Sequence, residues 1–255
     1  MSTLRLTYSD VKTRIAEYLG IQGTLSGSDL TKVQNLVKRG YRRFLIPIDS
    51  SNQKMYQWKF LEKTTTFSTE ANVDTYDLAI GFSSFITTFT YISPLAFNPT
   101  QADLQYILEL KSTHTGTGYP RHFAILSGDY DEINGQRYKV MFWPTPSSTL
   151  NFYYTYVFTP PMLSNDKDVF VGDDYASDVI LECCLAVAEY EKYDSPNAQN
   201  PQVHARESER LLQALIGKDK RDRLVPYLGQ MTDGKGMKFN YTSTVLDQNG
   251  TQILP

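Results

Sequence analysis

The residue types that do chemistry are sparse in this 255-residue chain and do not cluster. The three histidines, His114, His122 and His204, are spaced unlike metal ligands and have no cysteine companions, so each reads as an ordinary surface or interface residue. Cys183 and Cys184 are adjacent. On a helix they would point about 100° apart, which rules out an ordinary disulfide and suggests buried free thiols. No glycine-rich loop ends in Gly-Lys-Ser/Thr, and Ser127-Gly128 lacks the preceding glycine of a nucleophile elbow. Asp129-Tyr130-Asp131-Glu132-Ile133-Asn134-Gly135 has the acidity of a calcium loop but the wrong order. An isoleucine takes the fifth position and glycine comes seventh, so an acidic hairpin turn is expected. Paired carboxylates for glycoside hydrolysis discriminate nothing among 28 acids. The sequons at Asn240 and Asn249 are equally uninformative without a secretory signal. The expectation is a protein without catalytic residues, cofactor or metal.

Bulk properties agree with a soluble globular chain. Hydrophobic residues make up 41% of it and charged residues 21%. The aromatic share is high, with 18 Tyr against 2 Trp, a bias that suits half-buried sheets and subunit contacts. A net charge of −3 gives no overall positive surface for sequence-independent nucleic-acid binding. The local run Lys218, Lys220, Arg221 and Arg223 is interrupted by Asp219 and Asp222 and reads as a solvated helix end. No signal peptide or membrane span is visible, which predicts synthesis and folding in a cytoplasm.

The elements that would position side chains fall into four stretches. Residues 1–59 form a helical part: Thr7 or Ser9 caps a helix with Val11, Ile15, Tyr18 and Leu19 on one face. After the break Gly20–Gly27, a second helix carries Leu30, Val33, Val37, Tyr41, Phe44 and Leu45 and stops at Pro47. Residues 60–172 read as an antiparallel β domain. Its strands are expected at 60–68, 83–92, 106–110, 122–126, 138–143 and 150–158, with a turn at Asn134-Gly135. The last strand has aromatics on both faces and is expected to be buried on two sides or at an interface. Residues 173–228 return to helix. Asp173 and Asp174 start it, and Ala176, Val179, Ile180, Cys183, Val187 and Tyr190 form its apolar stripe. A second helix, carrying Val203, Leu211, Leu212 and Leu215, ends near Gly217. The fold class is α+β: a bundle of N- and C-terminal helices, an inserted antiparallel sheet or sandwich, and an extended C-terminal tail over 229–255. In that tail Met237, Phe239, Tyr241, Val245, Leu246, Ile253 and Leu254 recur in a polar context. They either order on a partner or form a strand packed on their own domain.

Four landmarks carry a resemblance. They are Tyr41-Arg42-Arg43-Phe44-Leu45; Trp58-Lys59-Phe60-Leu61 leading to Tyr76-Asp77-Leu78; Phe142-Trp143-Pro144-Thr145-Pro146 with the aromatic strand and Pro160-Pro161; and the small-residue helix from Asp173 to near Tyr193. In this order, over residues 8–217, the chain resembles the head-to-tail adaptors of tailed bacteriophages, including the tubular tail proteins of short-tailed phages. The resemblance implies a virion neck component and a homo-oligomeric ring, by family analogy a dodecamer. The ring would dock on the portal protein above and on tail, tail-tube or nozzle proteins below. DNA would pass through it without sequence-specific binding and no membrane would be involved. A tail-tip or receptor-binding subunit is the alternative, with Trp58 or Trp143 stacking on sugars. A virion-associated hydrolase would need a catalytic site that the sequence does not offer.

Overall fold

In the computed structural model, residues 5–92, 97–114, 116–131, 135–172, 174–193, 201–223, 245–246 and 252–253 are described. The chain divides into two compact units, 1–221 and 222–255.

The first unit opens with α1 (Tyr8–Leu19). Thr7 and Asp10 form a reciprocal capping box, satisfying two of the helix's free amides, and Gly20 ends the helix in the left-handed region at φ 76°. Helix α2 (Gly27–Leu45) buries Val33, Leu36, Val37, Gly40, Tyr41 and Phe44 along one stripe. It stops one residue before the Ile46 cap that precedes Pro47. A small hairpin follows, β1 (Ile48–Asp49) against β2 (Lys54–Met55). Residues Lys59–Leu61 form a single 3-10 turn, so the strand expected from Phe60 begins two residues later as β3 (Glu62–Ser68).

Two sheets then face each other. After β4 (Thr75–Asp77) and β5 (Phe82–Tyr91) come β6 (Thr100–Gln101), α3 (Leu104–Thr113) and β7 (Thr117–Gly118). The segment closes with β8 (His122–Asp131), β9 (Gly135–Trp143), β10 (Thr145–Pro146) and β11 (Asn151–Phe158). One sheet runs β3-β11-β5, antiparallel throughout; the other runs β4-β9-β8-β6, with β6 parallel to β8. Between them lies an aromatic core in which Phe82, Phe89, Tyr91, Phe152, Tyr154 and Tyr156 meet Phe123, Val140 and Phe142.

One strand expectation is corrected here, and another is narrowed to its interface alternative. Tyr106–Leu110 is not a strand but the middle of α3. Asp103 caps that helix by accepting from the Gln105 amide at 2.8 Å, and Ile107 is its one buried side chain. The last strand, β11, is not buried on both faces. Phe152, Tyr154 and Tyr156 point into the aromatic core while Tyr153 is 42% exposed on the other side.

The chain returns to helix with α4 (Ala176–Lys192) and α5 (Val203–Arg223). Asp173 lies outside the described residues, and Asp174 precedes the helix, where it pairs with Arg5 at 2.8 Å. Helix α4 is buried nearly all round from Cys183 to Glu189, so its predicted single stripe is too narrow. Tyr190, placed on that stripe by its spacing, is 48% exposed, and Val203 is 60% exposed. Helix α5 continues past Gly217 to Arg223. Glu189, 1% exposed, accepts from the Val203 and Ala205 amides at 2.9 and 3.1 Å, so a side chain of α4 caps the start of α5. Helices α1, α2, α4 and α5 share a second core with Trp58, Leu61 and Phe170. The second unit contains an antiparallel pair, β12 (Val245–Leu246) with β13 (Gln252–Ile253), in which Val245 faces Ile253 and Leu246 faces Gln252.

Candidate interaction surfaces

The residues first considered for chemistry stay dispersed. His114 contacts the neighbouring Thr113 hydroxyl; His122 contacts Thr100 at 3.0 Å and stacks on Trp143; His204 meets Glu182 at 2.9 Å. Among the described residues no three His, Cys, Asp or Glu side chains are grouped to hold a metal ion. Asp129 and Asp131 lie at the end of β8, with Asp131 opposite Gly135. Glu132, Ile133 and Asn134 fall outside the described residues. Cys183 and Cys184 are buried free thiols. Burial pushes the Cys183 thiol up to about 12 and that of Cys184 well above its ordinary range, so neither is a nucleophile at neutral pH.

The two tryptophans differ sharply. Trp58 is fully buried in a cluster with Phe44 and Phe60, each ring against the other two, and its indole N–H donates to the Phe44 carbonyl at 2.8 Å. It offers no ring face to a ligand, and the sugar-stacking role considered for it is withdrawn. Trp143 is half-buried and borders a cavity of about 410 Å³ with Asn72, Lys111, His114, Thr117 and Thr145.

Two surfaces stand out from the rest. The first is the β1–β2 hairpin. Ile48 and Met55 are paired across it and are 57% and 78% exposed, with Ile46 beside them at 47%. The sequence gives little warning of this patch, because Ile46-Pro47-Ile48 looks like the end of a buried run. The hairpin is held by α5. Gln213 accepts from the Ser50 amide and hydroxyl and donates to the Ile48 carbonyl at 2.8 Å. Lys220 reaches the buried Asp49 at 2.6 Å, and Asp219 accepts from the Tyr56 hydroxyl at 2.7 Å and from the Lys59 amide. Hydrogen bonds from Lys220, then from Ser51, hold the Asp49 carboxyl below its usual range. The expectation of a merely solvated helix end over 218–223 is therefore corrected: Asp219 and Lys220 fasten an apolar patch.

The second surface is the open face of the β3-β11-β5 sheet. Register sets Thr64, Thr66 and Ser68 beside Thr155, Tyr153 and Asn151, and these beside Thr87 and Thr90 of β5. Thr64 bonds Thr155 at 2.9 Å and Ser68 bonds Asn151 at 2.7 Å. Between Thr64 and Ser68 this face is hydroxyl-rich and uncharged, with Glu62 opposite Val157 at its end, and no described strand pairs with the outer edge of β3. Soluble sheets ordinarily blunt such an edge with charge, proline or a bulge. On β3 the charge is confined to Glu62 and Lys63 at its start, and the bulges sit in β5, the opposite edge.

Of the tail residues expected to bind a partner, Met237, Phe239, Tyr241 and Leu254 lie outside the described residues. Val245, Leu246 and Ile253 belong to the β12–β13 pair. No described helix is long and apolar enough to cross a membrane.

The described residues form an α+β fold that presents an exposed apolar hairpin patch and a hydroxyl-rich sheet face. The profile of the family described as SU10 adaptor protein matches residues 6–231. The chain belongs to this family of phage adaptors and is a structural component of the virion that interacts with other virion parts. No curated protein matches the chain significantly.

Proposed function

We propose that the chain is one subunit of a head-to-tail adaptor ring that joins the portal protein to the tail and surrounds the DNA exit channel. A closed ring needs a heterologous interface, in which one surface of a subunit meets a different surface of its neighbour. The observation that carries the reading is that the folded unit offers two such unlike faces. One is the apolar hairpin patch of Ile46, Ile48 and Met55; the other is the uncharged sheet face around Tyr153. The hairpin is fixed by Gln213, Asp219 and Lys220, so little ordering entropy is lost when a neighbour covers it. The role is structural rather than catalytic. By the family resemblance the ring is a dodecamer, with tail, tail-tube or nozzle proteins on its other side.

In the same reading the tail residues Met237, Phe239, Tyr241, Val245, Leu246, Ile253 and Leu254 dock on the portal or on an adjacent subunit. Native mass spectrometry of the purified chain, alone and with portal protein, tests both parts. A ring that is lost on Ile48→Asp/Met55→Asp, with the helical signal in circular dichroism unchanged, supports the interface. A chain that stays monomeric at all concentrations, with and without portal, removes it. Deleting 230–255 without effect on ring or portal binding removes the docking role of the tail.

A further inference from the structure

The chain as a whole is slightly acidic, yet its cations are not evenly spread. Helix α2 carries Lys32, Lys38, Arg39, Arg42 and Arg43 within its last fourteen residues, and its only acid is Asp29 in the first turn. A helix face that merely needs solvating usually interleaves glutamates four residues from its lysines and arginines, and α2 does not. The helix dipole accounts for Arg42 and Arg43 in the last turn but not for Lys32, Lys38 or Arg39 further back.

The acids on neighbouring helices do not absorb this charge. Glu191 is shared by Lys32 at 3.7 Å and Arg39 at 3.8 Å, and Glu209 stands 3.9 Å from Arg43. All three separations exceed hydrogen-bonding distance, so the N–H groups of these cations remain available to another acceptor. Lys38 and Arg42 are exposed, stand one helical turn apart and make no ion pair among the described residues. Beside them a groove of about 660 Å³ is lined by Ser28, Thr31, Asn35 and three of the cations, with Glu191 its only acid. A concave track of ammonium, guanidinium, hydroxyl and amide donors is complementary to a chain of phosphates.

We infer that the outward face of α2, centred on Lys38 and Arg42, is a sequence-independent contact for the DNA backbone. This deepens the reading that DNA passes through the assembly and rests on it. It also amends the expectation from net charge, since counterion release depends on the cations within reach of phosphate and not on the sum over the chain. The contact reads no bases, because the track presents cations and small polar groups suited to phosphate oxygens.

The test is fluorescence anisotropy of a labelled duplex of arbitrary sequence, titrated with the full-length protein at several salt concentrations. Non-specific contacts of this kind have dissociation constants on the order of 10⁻⁴–10⁻⁶ M and weaken steeply with salt. Lys38→Glu/Arg42→Glu should weaken binding by at least about tenfold at low salt and flatten the slope of log K against log salt by about 2. Lys167→Glu, an exposed turn lysine outside the groove lining, should change neither. Native mass spectrometry of each variant reports whether rings persist, so loss of DNA contact is read separately from loss of assembly. The inference is overturned if the wild-type protein fails to bind at low salt, if the double variant binds as tightly as wild type, or if Lys167→Glu weakens binding as much. It is equally overturned if the double variant keeps its DNA affinity and loses an acidic protein partner instead.

Discussion

The two cores of the first unit are built on opposite principles. In the helical core α2 and α4 come close enough that a methyl group at Gly40 would lie 2.4 Å from the Cys184 Cα, and Ala176, Ala186, Ala188 and the two cysteines keep that region of α4 slim. In the aromatic core large rings fill the space between two sheets. Phe89, fully buried, lies within about ring-contact range of Phe67, Phe85, Phe123, Phe142, Phe152 and Tyr154. The helical core is therefore intolerant of added volume and the aromatic core of removed volume. Each has its own way to fail.

The largest expected effect is Phe89→Ala, which should cost about 3–5 kcal/mol because six ring neighbours cannot all collapse into the space left. Urea unfolding followed both at the helical circular-dichroism band and in the aromatic near-ultraviolet checks it. Coincident shifts in the two signals make the cores one cooperative unit. A shift confined to the aromatic signal means that the helices unfold independently, which sharpens the contrast into separate folding units.

Gly40→Ala runs the opposite experiment. In an ordinary helix the change would stabilise by about 1 kcal/mol. Here the new methyl meets the backbone of α4 rather than a flexible side-chain end, so the helices must move apart, at a cost typical of overpacking, about 1–3 kcal/mol. A net loss in urea midpoint is expected. A variant as stable as wild type would break the claim that this crossing is closed to added volume.

The cores also share a sensitivity to alkali. Burial pushes Cys183 and Tyr41 in the helical core, and Tyr91 in the aromatic core, up to about 12. In the unfolded chain these groups ionise lower, near about 8.5 for the thiol and about 10 for the phenols. The unfolded state thus releases protons first as the pH rises, and stability falls across that window until the folded values are reached. Urea midpoints should drop steadily above about pH 9, and Tyr41→Phe should reduce the slope. The Tyr41 hydroxyl also accepts from the Val171 amide at 3.2 Å, so the variant is somewhat less stable at neutral pH.

Much of this organisation was legible in the residues. The Thr7 cap, the α2 stripe, the paired buried thiols and the alternation of β11 each have a local cause, a hydrogen bond or a periodicity, that a sequence displays directly. Helix α3 was not legible because Tyr106, Ile107, Leu108 and Leu110 have strand-like composition, and the deciding signal is Asp103, a cap outside the apolar run. The contact surfaces were harder still. The exposure of Ile48 and Met55 depends on Gln213 and Lys220, more than 150 residues away, and no local pattern encodes that. The cations of α2 were visible, but they were hidden by a net charge that sums over faces which never meet.

The smallest predicted effect separates the two sides of a single strand. Tyr153 and Tyr154 are neighbours of the same residue type, yet Tyr153 stands on the open face of β11 while Tyr154 is 2% exposed in the aromatic core. Tyr154 also accepts from the Ala79 amide at 3.1 Å. Tyr154→Ala should therefore cost several kcal/mol, on the order of other large-to-small core changes. Tyr153→Ser should fall within about 0.5 kcal/mol of wild type under conditions where the chain is monomeric. If the proposed ring forms through this face, the same substitution should weaken the ring, because it removes the aromatic ring from the stretch a neighbour would cover. Equal stability losses for both tyrosines in the monomer would mean that this face is packed within the subunit, and the contrast between an inner and an outer side of the sheet would no longer hold.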